Sequence, residues 1–207
     1  MLAIVDYGVG NLFSLKCSLD SIGVDCKVTS DAQEIENADR IILPGVGAFE
    51  DAAKKLENSG LWDVVVSQAK NGKPILGICL GMQLLFDKSF EYGEHKGLGL
   101  IKGNIRPISD VIPTDYKIPH IGWNALKFKG EKSPIFKYIN DGDFVYFVHS
   151  FYGADCDENT IAVSEYGAGL TVAVADGNVF GCQFHPEKSG TTGLNILRAF
   201  CETGVQK

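Results

Sequence analysis

The chain has 207 residues, 45% of them hydrophobic and 22% charged, and its 19 basic and 26 acidic side chains give a formal charge of −7. A chain of this length buries roughly 70% of the surface of its unfolded form, enough for one α/β core without disulfide or metal staples. The acidic balance offers no long-range pull on phosphate backbones or anionic lipid, no apolar run of about 18 residues is present, and the N-terminus lacks a basic leader, so nucleic acid and membrane are argued against and a cytoplasmic location is expected.

Leu2 to Tyr7 is an apolar run that reads as a strand. It ends in Gly8-Val9-Gly10-Asn11, after which Leu12, Leu15, Leu19 and Ile22 recur at helical spacing up to Gly23. The Gly-x-Gly lacks the third glycine and the closing acidic residue of a dinucleotide fingerprint. Val24 to Val28 and Arg40 to Pro44 are the next strands, and the alternation implies right-handed βαβ units around a parallel sheet. The third strand runs into Pro44-Gly45-Val46-Gly47-Ala48-Phe49, whose glycines leave backbone N–H groups unhindered, as an oxyanion site requires. An ordinary βα turn would look the same. Asp51 to Lys55 and Leu61 to Lys70 read as helices divided by Asn58-Ser59-Gly60.

Lys73 to Phe86 contains the feature around which the rest is organised: an apolar strand enters Gly77-Ile78-Cys79-Leu80-Gly81 and turns at once into a helix. This is the nucleophile-elbow pattern with sulfur in place of oxygen, and flanking glycines permit the sharp turn that lifts the side chain clear of the sheet. A helix start also favours thiolate over thiol, and the N–H of the following residue, Leu80, is a natural second oxyanion donor. The other cysteines, at 17, 26, 156, 182 and 201, form no Cys-x-x-Cys pair and no zinc spacing. They are expected to be buried small hydrophobes.

Beyond Phe86 the pattern becomes short strands without long helices, with a hairpin signal at Asp176-Gly177. The second half is therefore expected to add antiparallel strands to the same sheet. Thr191 to Glu202 closes the chain as a helix. Before it, Phe184-His185-Pro186-Glu187 places a histidine and a carboxylate two residues apart, on one face of extended backbone, so that Glu187 can hold one imidazole nitrogen and leave the other for a nucleophile. Of the remaining histidines, His95 reads as a solvated loop residue, while His120 and His149 read as structural or wall residues, His149 being the main rival to His185.

Gly77 to Gln83 together with Phe184 to Glu187 resembles the nucleophile and base segments of the class I, triad-type glutamine amidotransferases. Asp6 to Asn11, Leu43 to Phe49, Pro119 to Asn124 and Tyr146 to Ser150 resemble the members of that family that serve histidine biosynthesis, and the likeness runs almost from end to end. It implies one glutamine amidotransferase domain over 1–207, a three-layer α/β fold with a mixed, mostly parallel central sheet. The implied catalytic groups are Cys79, His185 and Glu187. An oxyanion hole from Gly45, Val46, Gly47 and Leu80 is implied, with Gly47, Gln83, Ser150 and Phe151 holding L-glutamine. The implied partner is a (βα)8-barrel cyclase, HisF in that family, which forms a heterodimer through a face containing Lys188 and Trp123 and receives the ammonia. No metal or organic cofactor is called for. A paralogue feeding ammonia to another synthetase, such as one in surface-sugar assembly, would show the same segments. A non-catalytic scaffold would normally have lost a triad member, and a cysteine protease is open on the triad alone.

Overall fold

The computed structural model describes residues 1–204. Its first half alternates strands and helices as β1 (Leu2–Val5), α1 (Leu12–Ser21), β2 (Cys26–Thr29), α2 (Ala32–Asn37), β3 (Arg40–Gly45), α3 (Phe49–Asn58), α4 (Leu61–Lys70), β4 (Ile75–Cys79) and α5 (Leu80–Leu84). The second half runs β5 (Phe86–Ser89), β6 (His95–Lys96), β7 (Ile101–Pro107), β8 (His120–Ala125), β9 (Lys127–Phe128), β10 (Phe144–His149), β11 (Phe151–Ala154), β12 (Thr160–Glu165), β13 (Gly169–Asp176), β14 (Val179–Cys182) and α6 (Gly190–Glu202).

Continuous apolar runs put β1, β3 and β4 at the centre, buried on both faces. Alternate residues face opposite layers. Leu2, Ile4, Ile42, Leu76 and Ile78 pack with Leu15 and Leu19 of α1 and with Ile196, Leu197 and Phe200 of α6. Ala3, Val5, Ile41, Leu43 and Ile75 pack instead with Ile35, Phe49, Leu56 and Val65 of α2, α3 and α4. Strand order is β2-β1-β3-β4-β14-β13-β11-β7-β5-β6, with β12 and β9 attached beyond β13, making a twelve-stranded sheet. Pairing is parallel from β2 to β14 and antiparallel from β14 through β7.

The expected mixed sheet is present, with two departures. β5 pairs parallel to β7, and β8 with β10 leaves the main sheet to form a separate two-stranded antiparallel ribbon. That ribbon alternates sharply: Val145, Phe147, His120 and His149 face inward, while Ile121, Trp123 and Phe144 stand on the outer side. Among the described residues no helix is long and apolar enough to cross a membrane.

Candidate active site

β4 ends at Cys79 and α5 begins at Leu80 with nothing between. The strain of that turn sits on the cysteine itself, at φ 54° and ψ −111°, a conformation that costs on the order of 1–3 kcal/mol for a residue with a side chain. The flanking glycines serve close approach, since a Cβ on Gly81 would lie 1.8 Å from the Leu43 carbonyl oxygen and one on Gly77 2.6 Å from that of Gly81. α5 has only five residues, so its dipole is small. A donor that the sequence did not reveal stands at the sulfur instead: Gln183, fully buried, directs Nε2 at Cys79 Sγ at 3.6 Å while its Oε1 accepts from Gln83 Nε2 at 2.9 Å.

His185 and Glu187 meet as expected, with Nδ1 to Oε1 at 2.9 Å and both side chains 3% exposed. The backbone that brings them together differs from the expectation. The strand stops at Cys182, and Pro186–Lys188 form a 3-10 turn, so the carboxylate reaches back from a turn rather than from the same strand face. Three bonds fix the histidine's backbone. Its N–H donates to the Tyr146 carbonyl at 3.0 Å, and its carbonyl accepts from Ser189 Oγ at 2.7 Å and from the Lys188 N–H at 3.0 Å; Ser189 Oγ in turn accepts the Tyr146 N–H at 2.9 Å. Burial works against charge on the ring, but coupling to Cys79 and Glu187 outweighs it and pushes His185 up to about 9. A histidine so raised holds its proton at neutral pH and is placed to deliver it to a leaving group.

Cys79 and His185 open into one cavity of about 350 Å³, lined also by Val46, Gly47, Leu80 and Gln83 and by Ser150 and Phe151. Residues from four separate stretches thus converge on it. Gly45 does not line that cavity. It lies behind it in register with Cys79, where a Cβ would come within 2.8 Å of Gly81 N and 2.9 Å of the Tyr7 hydroxyl. Its glycine is required for packing, and of the expected oxyanion residues Val46, Gly47 and Leu80 are the ones that line the cavity. Tyr7 donates to the Pro44 carbonyl at 2.7 Å and so holds the peptide that enters this turn.

Glu91 is a second lining residue that the sequence did not point to. It is 8% exposed, its Oε2 accepts the Phe49 N–H at 2.6 Å, and burial raises its carboxyl above the usual range. No local motif marks it, because the contact spans 42 residues. His149 lines the cavity too, bonded to His120 at 3.0 Å. His95, expected in a solvated loop, is half-buried in β6 with its Nδ1 4.0 Å from Glu50. It borders a larger open cleft of about 460 Å³ that also contains Lys54 and Trp62 but no nucleophile. Of the cysteines expected inside, Cys156 and Cys182 are buried, Cys26 and Cys201 half-buried, and Cys17 exposed. Cys17 sits on the outer stripe of α1, whose buried positions are Leu15 and Leu19. Lys188 is exposed outside the cavity, Nζ 5.9 Å above the Tyr146 ring, and Tyr146 packs edge-on against Trp123 at 5.9 Å.

Residues 3–203 match the family model for class-I glutamine amidotransferases. The imidazole glycerol phosphate synthase subunit HisH of Caldanaerobacter subterraneus subsp. tengcongensis is 50% identical over 203 residues, 98% of each chain. The HisH subunit of Wolinella succinogenes is 47% identical over 99% of this chain and 100% of its own. Among solved structures, a glutamine amidotransferase superposes with a TM-score of 0.75 at 21% identity over 97% of each chain, and PurLQS from Thermotoga maritima with 0.74 at 21% identity over 97% of this chain and 96% of its own. These two show a shared fold.

Proposed function

The chain belongs to the class-I glutamine amidotransferase family, and on that premise we propose that it is the glutaminase subunit of an imidazole glycerol phosphate synthase, passing ammonia to a cyclase partner in histidine biosynthesis. The observation that carries the chemistry is that Cys79 and His185 open into one cavity while Glu187 holds the far nitrogen of His185, and the near-half identity to HisH subunits over the whole chain supports the pathway.

In this reading Cys79 attacks the side-chain amide carbon of glutamine. The tetrahedral oxyanion is met by backbone N–H groups of the Val46–Gly47 turn and of Leu80, where preorganised donors are worth several kcal/mol. His185, held by Glu187, gives its proton to the departing nitrogen, the C–N bond breaks, and ammonia leaves a glutamyl thioester. His185 then takes a proton from water, hydroxide adds to the thioester, and glutamate departs as the thiolate is restored. Gln83, Ser150 and Phe151 hold the substrate, and Glu91 supplies the carboxylate that faces its α-ammonium. Ammonia that escaped would be protonated in water, so a (βα)8-barrel cyclase, HisF in this family, docks over the mouth of the site.

The test combines the purified chain with a barrel cyclase from the same genome and follows imidazole glycerol phosphate formation. Glutamine is expected to support synthesis at neutral pH only when both subunits are present, and ammonium at raised pH with the cyclase alone. A chain that hydrolyses glutamine but never supports that cyclase overturns the pathway assignment.

A further inference from the structure

His120 and His149 form a buried chain whose hydrogens can be counted. His149 Nδ1 lies 2.8 Å from the Phe151 carbonyl oxygen, which only accepts, so that nitrogen carries a hydrogen. At the other end, Asn124 Nδ2 donates to the Glu165 carbonyl at 2.8 Å, which turns its Oδ1 toward His120 Nε2 at 3.1 Å. That nitrogen therefore also carries a hydrogen. The link between the rings, His120 Nδ1 to His149 Nε2 at 3.0 Å, needs one more. Three bonds thus require three hydrogens on four ring nitrogens, whereas two neutral imidazoles hold two. The fully bonded chain is a buried monocation.

Burial opposes that charge. His120 is 1% and His149 5% exposed, and desolvation lowers both, His149 to about 4. Around them, Phe147 and Tyr166 stack on His120 with centroids 4.9 and 4.0 Å away, and the Tyr166 hydroxyl is spent on the Lys117 carbonyl. The titratable groups sharing the cavity with His149 are Cys79, Glu91, Tyr92 and His185. His185 is committed to Cys79 and Glu187 and further disfavours charge on His149. Glu91 suits the ammonium end of an amino acid. No lysine or arginine among the described residues lines the cavity, so of its titratable lining groups His149 is the one left to answer a carboxylate with positive charge.

We propose that the His120–His149 pair takes up one proton as glutamine binds, completing its hydrogen-bond chain and giving the substrate carboxylate a buried counter-charge. This rests on the glutaminase reading above. Both ring nitrogens of His149 are engaged, so the charge acts through space from a buried pair, where a unit charge is screened less than at the surface.

The test is calorimetric titration of glutamine into the Cys79→Ala chain, which cannot turn it over, in two buffers of equal pH near 7 and different ionisation enthalpy. Net uptake approaching one proton per glutamine is expected, with affinity falling by up to about tenfold per pH unit as pH rises. His120→Gln in the same background is expected to bind glutamine without proton uptake, because an amide N–H can donate to His149 Nε2. Uptake of zero in the Cys79→Ala chain overturns the proposal, as does uptake undiminished by His120→Gln, which would place the proton on Glu91 or His185. Should His120→Gln not fold, imidazole 15N spectra of the Cys79→Ala chain decide: glutamine must raise the protonated nitrogens of the pair from two to three. If glutamine binds neither the Cys79→Ala chain nor its complex with the cyclase, the functional reading itself fails, an outcome distinct from binding without proton uptake.

Discussion

One wall of the cysteine cavity comes from β3, β4 and α5, where Gly45, Gly77 and Gly81 let backbones meet with no side chain between them. The opposite wall comes from the β8–β10 ribbon and the turn after β14, whose members lie far apart in sequence and are joined by side-chain bonds such as those of Ser189. The first wall tolerates no added atom and fixes the nucleophile by steric exclusion. The second is adjustable, because a hydrogen bond lost there leaves the chain path intact.

The largest expected effects break the first wall in two separable ways. Cys79→Ala is expected to remove glutamine turnover, by about a thousandfold or more, while the fold survives and ammonium-dependent synthesis by the partner persists. Gly81→Ala places a methyl where a backbone oxygen already stands, and a destabilisation of about 4 kcal/mol or more is expected from urea or thermal unfolding. If Gly81→Ala folds with unchanged stability, the close-approach account of this wall is wrong.

The two walls also differ in how pH acts on them. His185 is raised to about 9, above its unfolded value of about 6.5, so the folded state binds more protons between those values. Its contribution to stability is present in full below about pH 6.5 and lost as pH rises through 9. His149 is lowered to about 4, so the folded state binds fewer protons between pH 4 and about 6.5, and its contribution is present above that range and lost as pH falls. Thermal melts across pH are expected to show Cys79→Ala flattening the alkaline limb and His149→Gln the acid limb. Either variant flattening the opposite limb contradicts the assignment.

Much of the first wall was legible because its constraints are local. A glycine pair around a cysteine, an apolar run before it and helical periodicity after it all lie within fifteen residues, and the parallel alternation before it follows from the same periodicities. The second wall was less legible. Glu91 caps Phe49 across 42 residues, Gln183 reaches Cys79 across 104, and Ser189 clamps Tyr146 across 43, and no motif encodes a contact at such separations. The spacing of His185 and Glu187 points to their contact, but it assumes extended backbone at a strand end, and Pro186 starts a 3-10 turn there instead. Gly45 stands beside the oxyanion turn in sequence, and its tight surroundings, visible only in three dimensions, add a packing reason for glycine there.

Ser189→Ala sharpens the contrast at the second wall. It removes the hydroxyl that accepts from Tyr146 and donates to His185; the His185 carbonyl keeps the Lys188 N–H, but the Tyr146 N–H loses its partner, at about 1–3 kcal/mol. Glutamine turnover is expected to fall about tenfold or more with little change in glutamine KM, since the catalytic ring is loosened and the binding groups are untouched. A KM effect of the same size would show that Ser189 acts on the substrate pocket instead.

The smallest effects are expected on the outer face of the same ribbon, where Ile121, Trp123 and Phe144 are 58%, 51% and 56% exposed. Tyr146 links this face to the chemistry, because its ring packs against Trp123 and lies under Lys188 while its backbone holds His185. A cyclase seated here would bury Trp123, and truncating an aromatic anchor costs about 2 kcal/mol, close to thirtyfold in affinity. Lys188 is already solvated, so an ion pair across the rim is screened and contributes about 1 kcal/mol or less. Titrating the cyclase against Trp123→Ala and Lys188→Ala at low and high salt separates the two. The tryptophan variant is expected to weaken binding at both salts, the lysine variant a few-fold and at low salt only. Equal, salt-independent losses would mean that Lys188 is desolvated in the complex, and no loss from Trp123→Ala would move the docking face off this ribbon.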